Sequence, residues 1–378
     1  MIVLYRFMTK ENTVKSNIIM KQFIVGGAVR DTILNMQDAY ATFPKDIDYL
    51  MIDTTEQEMC ELYGDPIGAD FPVWLDDKGN EVALARVERS IGDKTTDFTF
   101  TTEGVTLEDD LSRRDLTINA MAVRRVDEQS FFMFTSTEPV IDPYNGLKDL
   151  QDRVLRHTTD AFAEDPLRVL RVARFYARYH SLGFTVADET RELCKKMVSD
   201  GMLDALPKER IWAETLKALT ERDAHMYFVF LNSVGFGPSL SPDEILALKY
   251  YKTDLSLYSL DDEKIYKWVS FDFRNRLTAA YGATKKFNKC SEILMQLNVA
   301  HVYDSSIVSL MNFLGAYKNG DEFEIAMSQI KNVTKRRLLT DILNATKKVK
   351  VDVEPGPEYG VAQYAKRVEI AERIIHSL

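Results

Sequence analysis

Apolar residues in the first third of the chain come in short runs broken by glycine, proline and polar positions. Phe23-Ile24-Val25 is apolar and partly β-branched and meets a Gly-Gly pair at once, so it reads as a strand running into a glycine turn. Tyr49-Leu50-Met51-Ile52 is a second such run, and 71–75, 81–87 and 98–102 predict further strands. Residues 54–63 have helical spacing, with Thr54 or Thr55 as cap and Glu58 as the capping-box partner. Asp142-Pro143-Tyr144-Asn145-Gly146 is a strong turn cluster and a natural hinge. Beyond it the pattern becomes helical: 161–179, 188–198, 208–220 and 224–234 all read as helices, with Asp188 and Pro207 at helix entries. Helices and polar connectors continue to the end, where Glu354-Pro355-Gly356-Pro357 precedes a last helix over 361–375.

A length of 378 residues calls for two or more domains. The three cysteines, Cys60, Cys194 and Cys290, show neither metal spacing nor a disulfide framework, which fits a reducing, cytoplasmic setting. No apolar run reaches the ~18–20 residues that span a bilayer, and residues 1–19 read as an extension rather than a secretion signal. The net charge of −10 argues against a general polyanion binder. Charge is uneven, however: residues 331–350 hold Lys331, Lys335, Arg336, Arg337, Lys347, Lys348 and Lys350 against one acid, Asp341. Such a segment is either a solvated helix face or a local surface for RNA.

Chemistry concentrates in four places. Gly26-Gly27-Ala28-Val29-Arg30-Asp31 is a turn whose N–H groups can approach a phosphate, with a helix start behind it and Arg30 to grip phosphate oxygens. Asp46 and Asp48, one residue apart, project from one strand face about 6–7 Å apart. Two such carboxylates repel, and a hard divalent cation bridging to substrate phosphates relieves that conflict. Mg²⁺-assisted nucleotidyl transfer is the simplest chemistry. Either feature alone also suits a structural turn or a solvated strand end. A third carboxylate is expected on a neighbouring strand to handle the attacking hydroxyl, and Glu81 is the candidate.

The run Arg113-Arg114-Asp115-Leu116-Thr117-Ile118-Asn119 places two cations just before a helix expected over 116–122. A helix start favours acids, so an anion between the arginines would explain them. Asp115 would cap that helix, and Asn119 would reach ribose or base. In Glu164-Asp165-Pro166-Leu167-Arg168, the aspartate and arginine are i, i+3 neighbours on one helix. An accepting carboxylate beside a donating guanidinium matches the base edge of cytosine and adenine, which both pair an exocyclic amine with a ring-nitrogen acceptor. Guanine and uracil lack that order. Arg171 and Arg174 drift off this line by about 60° per step of three and would meet ribose or phosphates instead. The aromatic stretches 131–134 and 271–273 read as core, and the five histidines form no metal cluster.

Together the stretches FIVGGAVRD, PKDIDYLMI, DFPVWL with EVALARVERS, VTLEDDLSRRDLTINAMA, IDPYNGLKDL and EDPLRVLRVARFYARY resemble class II CCA-adding enzymes, the tRNA nucleotidyltransferases, and more distantly the bacterial poly(A) polymerases. They run in family order from 22 to about 180, with a weaker likeness through LPKERIWAETLKAL, and look most like the gamma-proteobacterial group. The resemblance implies an α+β fold, a polymerase-β-like nucleotidyltransferase head followed by an all-helical neck, body and tail. The expected boundaries are 1–19 extension, 20–142 head, 143–225 neck, 226–350 body and 351–378 tail. It implies that Gly27 and Arg30 bind CTP and ATP, that Asp46 and Asp48 hold Mg²⁺, and that Arg114, Arg171 and Arg174 contact nucleotide. Asp165 and Arg168 match the pair that serves as an amino-acid template, and Asp142 and Gly146 lie in a segment that reshapes the head between CTP and ATP. No adjacent His-Asp pair occurs, so the phosphohydrolase domain of many such enzymes is not expected here.

The expected function is template-independent addition of CCA to tRNA, with the 331–350 basic residues as tRNA contacts and no obligate protein partner. Its rivals are a poly(A) polymerase or partial CC- or A-adding enzyme, and a non-catalytic RNA-binding protein on the same scaffold.

Overall fold

The computed structural model describes residues 22–37, 47–67, 71–90, 98–125, 139–239, 280–318, 321–330 and 332–377. Expectations placed on 1–19, Asp46, the aromatic stretches 131–134 and 271–273, and Lys331 lie outside the described residues. The chain divides into two compact units, one reaching to Arg210 and including Met226–Phe236, the other formed by Ile211–His225 and Gly237–Leu378.

The first unit is built on strands β1 (Gln22–Val25), β2 (Asp48–Met51), β3 (Val73–Leu75), β4 (Glu81–Leu84) and β7 (Ala122–Arg124), in the order β3-β4-β2-β1-β7. Strands β2 and β4 are parallel and the remaining pairs antiparallel. All four residues of β1 are buried because both faces of this strand are covered. Phe23 and Val25 enter a core with Leu50, Ala85, Leu111 and Ala122, while Ile24 turns to the other face. Strands β5 (Val87–Ser90) and β6 (Phe98–Thr101) form a separate hairpin, so the single strand expected over 81–87 breaks at Ala85-Arg86.

Helix α1 (Gly27–Gln37) follows β1 directly, and α2 (Glu56–Tyr63) carries the expected capping box, Thr55 with Glu58. Helix α3 (Leu107–Ser112) is opened by a second box, Thr106 with Asp109. The helix expected over 116–122 is not there: a single 3-10 turn, Thr117–Asn119, leads into β7. Ala122 and Val123 pair with β1, and the sheet bonds outweigh local helix preference.

Helix α4 (Gly146–Asp152) is followed by the short parallel pair of β8 (Val154–Leu155) and β9 (Thr185–Val186). The helix expected over 161–179 is interrupted. Asp160–Glu164 is a 3-10 turn, Asp165 is extended, and α5 runs over Leu167–Tyr179. Pro166 explains the break, since a residue before proline is pushed out of helical backbone. Helices α6 (Asp188–Ser199), α7 (Lys208–Leu219) and α8 (His225–Ser233) follow, close to their expected limits.

In the second unit, α9 (Lys285–Val299), α10 (Ser306–Phe313), α11 (Asp321–Ser328), α12 (Val333–Thr346) and α13 (Pro357–His376) bury Leu294, Met311, Phe323, Leu339 and Ala371. Helix α13 starts earlier than expected, with Pro357 in its first turn. The architecture is a mixed-sheet head of polymerase-β type continued by helices. No helix among the described residues is long and apolar enough to cross a membrane.

Candidate active site

Gly26 ends β1 with φ +68°, a backbone region that disfavours side chains. A Cβ there would also sit 2.8 Å from Arg114 Nη1, so a side chain would have to displace that guanidinium as well as strain the turn. The Gly26 carbonyl accepts Arg30 N–H at 3.1 Å and opens α1, leaving the first amides of the helix facing outward. Arg30 is buried. Its Nε donates to Asp31 at 2.8 Å, its Nη1 donates to Asn119 Oδ1, and its Nη2 stands 3.4 Å from where a Gly27 Cβ would be. Burial works against the Arg30 charge, but the Tyr179 oxygen and the Asp31 carboxylate outweigh it and raise its pKa.

Arg113 and Arg114 close the C-terminal end of α3, where a helix dipole favours cations. The expected reason for them, an anion at a helix start, is thereby replaced. Fully buried Asp110 holds both: Arg113 Nη2 donates to Oδ1 at 2.5 Å and Arg114 Nη2 to Oδ2 at 3.1 Å. Burial opposes ionisation of Asp110, and the charges of Arg114 and Arg113 more than compensate, so its pKa falls. Arg86 N–H also donates to Asp110, and the Arg86 guanidinium lies 4.0 Å from the centre of the Phe71 ring.

Asp115 does not cap a helix through the turn it precedes. Its Oδ1 accepts the Leu116 N–H and the Asn119 amide, both at 2.8 Å, and its Oδ2 accepts Arg171 Nε at 2.7 Å. Burial opposes its charge, and Arg171 above all lowers its pKa well below the carboxylate range. Asn119 thus bridges Arg30 and Asp115. The Thr117–Asn119 turn is pinned from behind by α4: Thr117 Oγ1 donates to Asp149 at 2.7 Å, and a Cβ on Gly146 would meet the Thr117 carbonyl oxygen at 2.3 Å. Asp142 caps α4 by accepting the N–H groups of Gly146 and Leu147.

Asp165 stands just ahead of α5 rather than on it, yet remains beside Arg168. Its Oδ1 accepts Leu167 N–H at 3.0 Å, its carbonyl accepts Arg168 N–H at 3.0 Å, and its Oδ2 lies 3.7 Å from Arg210 Nη2. Arg168 is buried and donates through Nη1 to the Ala161 carbonyl. Further along α5, the Arg174 guanidinium packs 4.6 Å from the Phe175 ring centre, with Arg30 at 5.2 Å and Arg171 at 5.8 Å.

One cavity of about 630 Å³ gathers these groups: Gly26, Gly27, Arg30, Asp48, Arg113, Arg114, Asp115, Asn119, Asp165, Arg168, Arg171 and Arg174 all line it. Nine arginines and three aspartates are among its lining residues, so it suits a polyanion. Asp48 pairs with Val25 across the sheet and therefore stands beside the glycine turn. Parallel register Tyr49↔Val82 puts Glu81 level with Asp48 one strand over, about 5 Å away, on the same face. Exposed oxygen donors at one strand end suit a hard divalent cation.

Several residues at this site were given no role by motif: Phe71, Arg86, Asp110, Phe175, Arg178 and Arg210. Asp110 had a usable signal, because it lies three and four residues before the arginine pair. The described basic residues of 332–350 belong to the second unit. Lys335 Nζ donates to the Asn298 and Ala300 carbonyls at the end of α9, at 2.9 and 2.6 Å. Arg336 donates to the Ser328 carbonyl at the end of α11, and Lys347 pairs with Glu324. Arg336 and Arg337 also line a cavity of about 430 Å³ that includes Glu324 and Asp341.

Comparison with known proteins matches residues 22–156 to the family described as the poly A polymerase head domain. Residues 183–241 match the probable RNA and SrmB-binding site of polymerase A. A crystal structure of the Bacillus stearothermophilus CCA-adding enzyme with CTP is similar at a TM-score of 0.67 and 19% identity, covering 97% of this chain and 94% of that one. A CCA-adding enzyme with ATP gives 0.58 at 17% identity, with 97% and 93% covered. A tRNA-processing enzyme with CTP gives 0.55 at 20% identity, with 96% and 99% covered. The fold likeness extends through both units, and the family match falls on the segment that carries the glycine turn, Asp48, Glu81 and the arginine pair. Residues 22–156 thus belong to the poly A polymerase head-domain family, and residues 183–241 match the RNA-binding segment found in the same polymerases.

Proposed function

We propose that this chain adds C, C and A to the 3′ end of tRNA, using CTP and ATP without a nucleic-acid template. The reading is carried by one observation: an arginine-lined cavity holds a phosphate-type glycine turn and the Asp165–Arg168 pair together. Of the solved structures of similar fold, two hold CTP and one holds ATP. In this reading Arg30 Nη2, the α1 amides and the Arg113–Arg114 pair bind the triphosphate. Asp165 accepts from the exocyclic amine and Arg168 donates to the ring nitrogen, as cytosine and adenine both allow. Arg171 and Arg174 bind the rest of the nucleotide.

Asp46 and Asp48 are the residues that would hold Mg²⁺, which would offset phosphate charge and lower the pKa of the primer hydroxyl. Glu81, level with Asp48, orients that hydroxyl and accepts its proton. The 3′-oxygen bonds to the α-phosphorus as the α–β bridging bond breaks, and pyrophosphate leaves. We assign residues 20–142 to the catalytic head, 143–225 to the neck with the base-reading pair, 226–350 to a tRNA-binding body and 351–378 to a tail. The protein would act in the cytoplasm, where tRNA is processed.

Purified protein given tRNA lacking its CCA end should add three residues with CTP and ATP together and two with CTP alone. The description of the matched head family favours one other reading, a poly(A) polymerase. Long adenylate tails with ATP alone would establish that instead.

A further inference from the structure

Asp31 is buried, directly follows Arg30, and has no part in the chemistry above. Its carboxylate collects three donors: Arg30 Nε at 2.8 Å and the Tyr179 hydroxyl at 2.9 Å on Oδ1, and Arg178 Nη2 at 3.0 Å on Oδ2. The Arg30 guanidinium lies against the rings of Phe175 and Tyr179, at 5.2 and 5.5 Å from their centres. These two rings lie parallel within 4°. Asp31 sits in the first turns of α1, the helix that opens at the glycine turn. Arg178 and Tyr179 end α5, the helix whose first turn carries Arg168. One buried carboxylate therefore joins the helix of the phosphate turn to the helix of the base-reading pair.

The spacing gives this join a purpose. Arg168 and Arg178 are ten residues apart on α5, about 15 Å along a helix. A nucleoside triphosphate has to span from the turn to Asp165 and Arg168. Helix α5 is held at its far end by Asp31 and midway by Asp115 through Arg171. Apolar packing could hold two helices together at less desolvation cost, but it tolerates sliding. A carboxylate with three directed donors has one register.

We infer that Asp31 is a positioning residue that fixes the separation between the phosphate turn and the Asp165–Arg168 pair, and so sets how strictly the base edge is read. The inference rests on the reading under Proposed function. With the lock intact, a seated triphosphate brings the base to one place. Cytosine there meets an acceptor and a donor in order, and uracil presents its carbonyl to the Asp165 carboxylate. A loosened lock lets the base shift until uracil escapes that repulsion.

The test compares kcat/KM for CTP and for UTP on tRNA lacking its CCA end, with each variant measured in one preparation. The ratio is independent of how much of the sample is folded, which separates positioning from simple structural damage. Asp31→Asn keeps an acceptor but removes the charge facing two arginines. It should reduce the CTP-over-UTP ratio by about tenfold, mostly through a raised KM for CTP. Tyr179→Phe keeps every charge and removes one donor, and should move the ratio the same way by roughly threefold. A wild-type ratio in Asp31→Asn overturns the inference; if that variant does not fold, a wild-type ratio in Tyr179→Phe does so. Wild-type protein that adds no nucleotide at all would instead sink the functional reading, and this inference with it.

Discussion

Asp31 and Arg178, separated by 147 positions, share a hydrogen bond of 3.0 Å. It is one link in a chain of hydrogen bonds that continues through Arg30, Asn119 and Asp115 to Arg171. Each buried carboxylate in the neighbourhood faces at least one guanidinium. The site is therefore a lattice of partly neutralised arginines rather than a set of bare cations, and an arriving triphosphate redistributes contacts that already exist.

That lattice sets an acid limit. Burial opposes the charges of Asp31, Asp110 and Asp115, but arginine neighbours overcome it, so each has a pKa below its ordinary value of 3.8. A depressed folded-state pKa contributes stability that is fully present above the unfolded value and is lost as pH falls through the folded one. Urea midpoints followed by a probe in the head should stay level on this account from pH 7 to about 5 and drop steeply below about 4. Substituting Asp31→Asn should make that acid limb shallower.

Asp110 is the strongest structural bet among the residues that motif reading passed over. It is fully buried and neutralises two arginines whose side chains are 18% and 20% exposed. Removing one partner of such a group strands the other charges, at a cost of about 2 kcal/mol after allowing for that exposure. Asp110→Ala should lower the thermal midpoint by several degrees and raise KM for both nucleotides. Unchanged stability would mean that Arg113 and Arg114 find other partners.

Gly146 admits no side chain. A Cβ would lie 2.3 Å from the Thr117 carbonyl oxygen and 2.9 Å from Met121 Cγ, and the first of these is backbone that cannot swing away. Gly146→Ala should cost about 2 kcal/mol by overpacking. It should also disturb the turn that presents Asn119, so CTP affinity measured by equilibrium dialysis should weaken together with the denaturation midpoint.

What the sequence revealed follows from the physics of each signal. The turn at Gly26 and the strand starts at Asp48 and Glu81 were legible as structure, because turns and strand ends depend on local residues, and the register of β2 with β4 sets the two carboxylates level. The capping box at Thr55 was legible for the same reason. The 116–122 segment was misjudged because its helical spacing competes with pairing to β1, where Ala122 meets Val25, and local pattern contains nothing about that distant partner. Asp31 was visible as part of a motif but not as a hub, because Arg178 and Tyr179 reach it only through the packing of α5. In the basic run, read as a solvated helix face or an RNA surface, local pattern also says nothing of the carbonyls at helix ends that Lys335 and Arg336 meet.

Lys335 and Lys348 separate those two uses. Lys335 donates to two carbonyls that end α9, whereas Lys348 is exposed. Lys335→Met should destabilise the helical unit by about 1 kcal/mol, the usual contribution of a charged hydrogen bond at a helix end. Lys348→Met should leave the denaturation midpoint within about 0.5 kcal/mol. If this face contacts tRNA, it should also flatten the salt dependence of tRNA binding by about one ion. Filter binding across a salt series, beside urea titration, reads both.

Asp48 and Glu81 stand level on neighbouring strands and invite different losses. In the proposed mechanism Asp48 holds the metal and Glu81 takes the proton of the hydroxyl. Asp48→Asn should abolish turnover at any pH, as should chelation by EDTA, and added Mg²⁺ should reverse only the chelation. Glu81→Gln should reduce kcat by about 10²–10⁴-fold, the range for loss of a general base. A Glu81→Gln enzyme that keeps the wild-type rate of the chemical step would remove Glu81 from proton transfer. Single-turnover extension of a CCA-less tRNA reads this loss, because it isolates the chemical step from product release.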